Sequence, residues 1–380
     1  MKLIHLSDLH LGKRLNEFSL IEDQRYILNQ ILDKISQLTI DGVIIAGDVY
    51  DKNTPSTEAV TLLDDFLYSL SQKNLPIYLI GGNHDSQERL SFGGRIFSNS
   101  NIYISNAYSG SLQKISLKDS YGDYYIYLLP FIKPSYVKRY FKEEEISSYT
   151  DAIRVALKNS DIDYTKRNVL VTHQFVTGAT TCESEELSVG GSDNVDAEVF
   201  SGIDYVALGH IHGPQNVKDN IRYCGTPLKY SFSEVKHKKS ITLVEIKEKG
   251  NLTITEIPLN PLHDLVELKG TYADLTLQQN VTEKLKNSYV HITLTDEETI
   301  LNGLNKLRVL YPNLMKLDYD NARTRQNGAL QIDDSIKNKS PLEIFEDFYK
   351  MQNGTEISSE QKEIITDLIT KIWEENAWDH

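Results

Sequence analysis

Five apolar runs in the first 212 residues stop abruptly on aspartate, asparagine or histidine. They are KLIHLSDLH (2 to 10), DGVIIAGDVYD (41 to 51), PIYLIGGNHD (76 to 85), RNVLVTHQF (167 to 175) and IDYVALGHIH (203 to 212). A sixth run, YIYLLP (125 to 130), has no such ending. Runs of this length, rich in Val, Ile and Tyr and separated by helical segments, predict buried strands in an α/β arrangement. In open α/β sheets ligands bind beyond the carboxyl ends of the strands, so five such endings can converge on one crevice. The glycines before Asp48, Asn83 and His210 permit tight turns and close backbone approach. Asp8 and His10 are two residues apart, as are His210 and His212, and on a strand that spacing puts both side chains on one face.

The set holds Asp, Asn and His but no thiolate. It therefore suits manganese, iron or zinc at a working site rather than a Cys-rich structural zinc, and there are enough ligands for two ions. Taken singly, each member is also an ordinary strand-end residue. All five in this order, each closing an apolar run, are much harder to assign to packing alone.

With the motifs DLH, GDVYD, GNHD, VTHQF and GHIH, the chain resembles the calcineurin-like metallophosphoesterases. The resemblance implies an α/β fold with a layered core of mixed sheets flanked by helices. It also implies two divalent ions, with Asp8, His10, Asp48 and His212 on one and Asp48, Asn83, His173 and His210 on the other, so that Asp48 bridges. His84 would contact the phosphate and stabilise or protonate the leaving oxygen. Paired ions of this kind stabilise charge on attacking and leaving oxygens in an in-line displacement. Asp85 would orient its neighbours by hydrogen bonding.

Protein phosphatases of this superfamily usually continue Gly-Asp-x-x-Asp with Arg-Gly and have Gly-Asn-His-Glu, whereas this chain has GDVYDKN and GNHD. The stretches 188 to 215 and 223 to 234 instead resemble the DNA-nuclease subunits of bacterial ATPase–nuclease repair complexes. That likeness runs from Met1 to about Glu234 and continues more loosely beyond. It implies a manganese-preferring exo- and endonuclease acting on duplex ends, hairpins and single strands, gated by ATP turnover in a separate coiled-coil subunit. A homodimer through the helices near 57 to 98 is implied in the same way. No G-x-x-x-x-G-K-S/T pattern occurs, so ATP would be the partner's business. Some relatives carry histidine where Asp51 stands, which leaves Asp51 either a catalytic residue orienting His84 or a turn-stabilising acceptor. A small-molecule phosphodiesterase and a non-catalytic DNA-tethering scaffold are the competing readings.

A net charge of −14 argues against a protein that coats DNA non-specifically, so DNA must meet a local basic surface, a metal or a basic partner. Residues 222 to 239 carry Arg222, Lys229, Lys236, Lys238 and Lys239 interleaved with Tyr223, Tyr230 and Phe232. These lysines could neutralise phosphates while the aromatics stack on unpaired bases; alternatively the aromatics are core and the lysines a solvated hairpin surface. Lys13, Arg14 and Arg89, next to the metal motifs, form a second candidate set.

The pattern predicts a nuclease domain over 1–260, closed by a hairpin at Lys249-Gly250-Asn251. In its helix over 57 to 73, Val60, Leu63, Phe66, Leu67 and Leu70 fall on one face. A small α/β unit over 261–320 reads as strand, helix (273 to 287), strand, helix (298 to 310), strand; by resemblance it caps the site and positions DNA. A polar linker over 321–339 precedes two helices over 340–380, each opened by a capping box, Ser340 with Glu343 and Ser358 with Gln361. The stripe Ile364, Ile365, Leu368, Ile369, Ile372 and Trp373 must be buried on something. By resemblance that is the base of the ATPase coiled coil, and otherwise it is the chain's own core. Cys182 and Cys224 read as ordinary thiols. With no apolar stretch of membrane length and no signal-peptide pattern, the expected location is the cytoplasm.

Overall fold

The computed structural model describes residues 1–185, 193–327 and 340–376, with the main chain alone at 326–327, 351–352 and 370–376. It divides into two compact units, Met1–Leu265 and Val266–His380. The four predicted segments distribute over these two: 1–260 falls within the first, and the small unit, linker and helix pair belong almost wholly to the second.

In the first unit β1 (Lys2–Leu6), the short hairpin β2 (Arg14–Leu15) and β3 (Phe18–Ser19), β4 (Gly42–Ala46), β5 (Ile77–Ile80) and β6 (Ile102–Ile104) come first. They are followed by β7 (Gln113–Asp119), β8 (Gly122–Leu129), β9 (Arg167–His173), β10 (Tyr205–Gly209), β11 (Gln215–Lys218), β12 (Ile221–Tyr223), β13 (Ser240–Ile246) and β14 (Leu252–Pro258). One sheet has the order β14-β13-β1-β4-β5-β6 and the other β11-β12-β10-β9-β8-β7. The strands carrying the five motifs are parallel within each sheet: β1, β4 and β5 in the first, β9 and β10 in the second. Their carboxyl ends therefore lie together.

Alternation along β9 shows why these runs are apolar throughout. Val169 and Val171 face Ile44, Ala46, Tyr78 and Ile80 of the opposite sheet, while Leu170 packs with Ile153, Ala156 and Leu208. Both faces are buried, so no polar residue can be spared until the strand ends. All six predicted runs are strands. Edge strands such as β7, QKISLKD, went unread because they mix polar and apolar residues. Helix Thr57–Ser71 is capped by Ser56 and buries Ala59, Leu62, Leu63, Phe66 and Leu70, whereas Val60 is exposed. The helix carries two overlapping apolar stripes, and the buried one is turned slightly from the predicted one.

In the second unit β15 (Leu265–Gly270), β16 (Tyr289–Leu294) and β17 (Leu314–Tyr319) form a three-stranded sheet over a core of Leu275, Ile292, Leu307 and Tyr311. The predicted helix over 273 to 287 is broken. Leu277 is extended, and Thr271 and Thr282 each cap a separate short helix, Tyr272–Thr276 and Glu283–Asn287. The helix predicted over 298 to 310 contracts to Gly303–Arg308. The expected linker opens with a helix, Ala322–Asn327, and its remainder over 328–339 lies outside the described residues. Both capping boxes form, and they open the helices Pro341–Asn353 and Ser359–Asn376. Among the described residues no helix is long and apolar enough to cross a membrane.

Gly209, the last residue of β10, lies close against the opposite sheet: a Cβ there would lie 1.9 Å from the Ala46 carbonyl oxygen and 2.6 Å from His173 Nδ1. Gly209→Ala should lower stability by at least about 1–3 kcal/mol, the usual cost of overpacking. Thermal unfolding in chelator, where metal binding cannot contribute, reads the effect; an unchanged melting temperature would contradict this close approach.

Candidate metal centre

Apart from His173, which closes β9, the motif residues lie past the ends of their strands, and four of them have unusual backbone. β1 stops at Leu6, and Asp8 and His10 follow at φ 51° and 44°; Asp48 has φ 47° and His210 has φ 106°. Such conformations cost non-glycine residues about 1–3 kcal/mol each and persist only where the surroundings impose them. The even spacing of Asp8 and His10 therefore does not align them as strand neighbours, which was the expectation. They are aligned by bonds between loops: Asp8 N–H donates to the Gly47 carbonyl at 3.0 Å and His10 N–H to the Asp48 carbonyl at 2.9 Å. His210 N–H donates to Asp8 Oδ1 and His84 N–H to Asp48 Oδ1, both at 2.9 Å.

The side chains converge on Asp48. Its Oδ2 lies 3.3 Å from His173 Nε2, 3.7 Å from His10 Nε2 and 3.9 Å from His84 Nε2. Asn83 Oδ1 is 3.0 Å from both His173 Nε2 and His210 Nδ1. His10 Nε2 and His212 Nε2 face each other at 3.2 Å, a separation that two nitrogens sharing one ion at ~2.1 Å can adopt. His173 Nδ1 donates to the Ala46 carbonyl at 2.9 Å, which leaves its Nε2 lone pair for a cation. At Gly82 a Cβ would lie 2.1 Å from Asp48 Oδ1, so the carboxylate needs a bare backbone beside it.

Two observations test whether these residues fit metal ions. Asp8 Oδ2 and His210 Nε2 are buried without a hydrogen-bond partner among the described residues, a costly arrangement unless a ligand completes it. Two triads, Asp8–His10–His212 and Asp8–Asp48–His173, offer ligand atoms within 4.8 Å of one another. Electrostatics agree. Burial holds His10 well below the usual histidine range and His210 down at about 3, so both are neutral donors. Burial also pushes the Asp48 carboxyl up, but His173, His10 and His84 outweigh it and keep it ionised. Against its own burial, His173 is raised to about 9 by Asp48, so its Nε2 carries a proton that a binding cation displaces, and burial raises Asp8 to about 6. The donor set fits divalent ions.

Residues 1–214 match the family of calcineurin-like phosphoesterases. The chain belongs to that family. Residues 261–353 match the domain described as the type 5 capsule protein repressor C-terminal domain. Over 380 residues the chain is 36% identical to the SbcD subunit of the nuclease SbcCD from Staphylococcus epidermidis, covering 98% of this chain and 99% of the relative. It is 33% identical over 388 residues to the protein of the same name from Staphylococcus saprophyticus, covering 99% and 100%. Within the calcineurin-like family it groups with the SbcD proteins.

Several residues expected to touch DNA are committed elsewhere. Lys239 is buried and donates to Glu234 Oε2 at 2.5 Å, Thr226 Oγ1 at 2.6 Å and the His212 carbonyl at 2.9 Å, so it has no charge to offer a phosphate at the surface. Arg222 is buried against Glu256, and Tyr223 and Tyr230 are core. Lys229 pairs with Asp264 at 2.7 Å. Of that stretch only Lys236 and Lys238 are exposed lysines. In the second set, Lys13 pairs with the Asp51 carboxylate at 2.7 Å, Arg14 bonds the Glu17 carbonyl and Arg89 donates to Thr54 Oγ1 at 2.7 Å. It is the Asp51 backbone carbonyl, at 3.0 Å, that contacts His84 Nδ1; the carboxylate goes to Lys13. Asp85 accepts from the N–H groups of Val49, Tyr50 and Gly82, tying two motif loops together. The beginning of the stretch 188 to 215, over 188–192, lies outside the described residues.

Glu234 is the residue that sequence reasoning missed. Its Oε1 lies 3.1 Å from His212 Nδ1 and accepts from Ser184 Oγ at 2.7 Å. Burial pushes this carboxyl up, but Lys239 and His212 hold it well below the ordinary range. A carboxylate that accepts from Nδ1–H fixes the tautomer presenting Nε2 to a metal. Nothing in the pattern SFSEVKHKK marks Glu234, because the contact spans 22 residues. Lys239→Met strands a buried charge and should cost about 3–5 kcal/mol. Glu234→Gln should weaken manganese binding by about 10–100-fold. Calorimetric unfolding and titration check these; full stability and full affinity would contradict the arrangement.

Proposed function

We propose that the chain is a metal-dependent DNA nuclease that hydrolyses phosphodiesters at this centre as the SbcD component of an SbcCD-type complex, with manganese as the working ion. The observation that carries the proposal is the convergence of five motif loops on Asp48, with buried ligand atoms that lack any other partner among the described residues. Asp8, His10, Asp48 and His212 would hold one ion, and Asp48, Asn83, His173 and His210 the other. When bound, such a pair supplies the charge that activates water and stabilises the attacking and leaving oxygens.

The chain's own residues do the rest. Asp48, ionised by its imidazole neighbours, joins the two halves of the site. Asn83 contributes an uncharged oxygen, which limits negative charge where a phosphodiester must enter. His84 is half-buried at the edge of the cluster, and with Nδ1–H given to the Asp51 carbonyl it keeps Nε2 for the departing oxygen, to which its imidazolium form would deliver the Nε2 proton.

Two surfaces support the wider assembly. In the last helix Ile364 and Leu368 are 60% and 48% exposed, an apolar stripe suited to an SbcC-type coiled coil. Phe92 and Ile96 are 84% and 72% exposed, and Phe92 lines one pocket with Val60 and Phe97, which suits a second copy of this chain.

Purified protein should cut end-labelled single-stranded and duplex DNA with manganese and not with chelator. His84→Ala should keep its manganese affinity while losing about 10²–10⁴-fold in rate, the usual contribution of a general acid. Hydrolysis of a small diester with DNA left uncut would instead indicate a small-molecule phosphodiesterase.

A further inference from the structure

Beside the metal centre, and sharing Asn83 and His210 with it, is a cavity of about 480 Å³ that the hydrolytic chemistry does not use. That volume is in the range of about 300–1,000 Å³ typical of small-ligand sites. The exposed lining is largely polar, but five aromatic residues, Tyr108, Phe131, Tyr136, Tyr140 and Tyr149, contribute to it. Phe131 links the cavity to the cluster, with its ring 6.4 Å from that of His173 on one side and 6.5 Å from that of Tyr149 on the other. Tyr108 and Tyr140 meet edge to face at 5.8 Å. Within the lining, Gln87 Nε2 donates to the Phe131 carbonyl at 2.6 Å and fixes that segment.

Polar groups narrow the ligand class. The polar side chains of Ser86 and Gln87 line the cavity and can meet a ligand's hydrogen-bonding edge. Glu88 and Asp193 also line the cavity and disfavour an anion inside it. Lys133 and Arg139, the cations of the lining, are both exposed; Lys133 Nζ lies 6.0 Å from the Phe131 ring centre and Arg139 Cζ 5.6 Å from that of Tyr136. A flat, uncharged, hydrogen-bonding ring attached to a phosphate chain meets each of these demands.

We propose that this cavity is a nucleobase site: the unpaired base of a nucleotide flanking the scissile phosphate enters it and stacks on the aromatic wall, while Lys133 and Arg139 hold the next backbone phosphate. The assignment rests on the nuclease reading above and adds a preference to it. A base must leave its pair to reach the cavity, so single strands and frayed ends are favoured over intact duplex. It also supplies DNA contacts that the buried lysine of the 222 to 239 stretch cannot.

The test uses the full chain with manganese on single-stranded oligonucleotides in which one abasic nucleotide is walked along the strand. On one flank of the cut linkage, loss of the base should lower kcat/KM about tenfold or more, the factor that ~1.4 kcal/mol of stacking supplies. The double variant Tyr136→Ala, Tyr140→Ala should cut intact and abasic strands at the same lowered rate, with unchanged manganese affinity. A merely structural role would slow both substrates alike and preserve their ratio. In a second arm, 2-aminopurine is walked along the strand in the same way, and its quenching is measured with calcium replacing manganese; quenching should appear at one position in the native chain and disappear in the double variant. Equal cleavage of intact and abasic strands by the native chain, or absence of quenching, overturns the base site. If no DNA is cut but quenching depends on the two tyrosines, the nuclease reading falls and the base site stands.

Discussion

A fully buried carboxylate, Asp48, sits among three imidazoles, with His173 Nε2 at 3.3 Å and those of His10 and His84 at 3.7 and 3.9 Å. Isolated there it would be untenable, because a buried charge must be compensated by partners. Much of the first unit can be understood as the means of holding that group. Parallel strands of two facing sheets deliver the loops to one place, and glycines at 47, 82 and 209 remove every Cβ that would collide with the carboxylate, its histidine or the opposing strand. Left-handed backbone at Asp8, His10, Asp48 and His210 turns the side chains inward. The strain is concentrated where ions would repay it.

The outer support is ionic as well. Glu234 and Lys239 form a buried pair behind His212, and Lys239 also bonds the His212 carbonyl. A buried ion pair is weak evidence for stability in itself. Its value here lies in setting the orientation of one imidazole, which explains why an acidic chain places a lysine in its interior. The same demand left fewer lysines on the surface than the sequence suggested. That shifts attention to Lys133 and Arg139, which line the cavity beside the metal centre.

Strand positions, and the motif residues that the strands bring together around Asp48, were legible because both are local. Strands buried on both faces read as uninterrupted apolar runs, and the first polar residue after each is where the chain leaves the core. The geometry that joins the motifs was not legible. Alternation along a strand suggested that Asp8 and His10 share a face, but both lie beyond the strand, and bonds to Gly47 and Asp48 position them. Glu234 acts on His212 from 22 residues away, and the Asp51 contact to His84 comes from a backbone carbonyl that every residue possesses. In the second unit, apolar periodicity carried a predicted helix straight through Leu277, where Thr271 and Thr282 each start a helix of their own. Capping competed with periodicity there, and capping prevailed.

If Asp48 is one carboxylate shared by two metal ions, electron paramagnetic resonance of the manganese-loaded full chain should detect the sharing itself. Two manganese ions per chain with an exchange-coupled spectrum are expected, and Asp48→Asn should lose the coupling together with one or both ions. A single ion, two uncoupled ions, or an Asp48→Asn spectrum identical to that of the native chain would contradict a bridging role for Asp48.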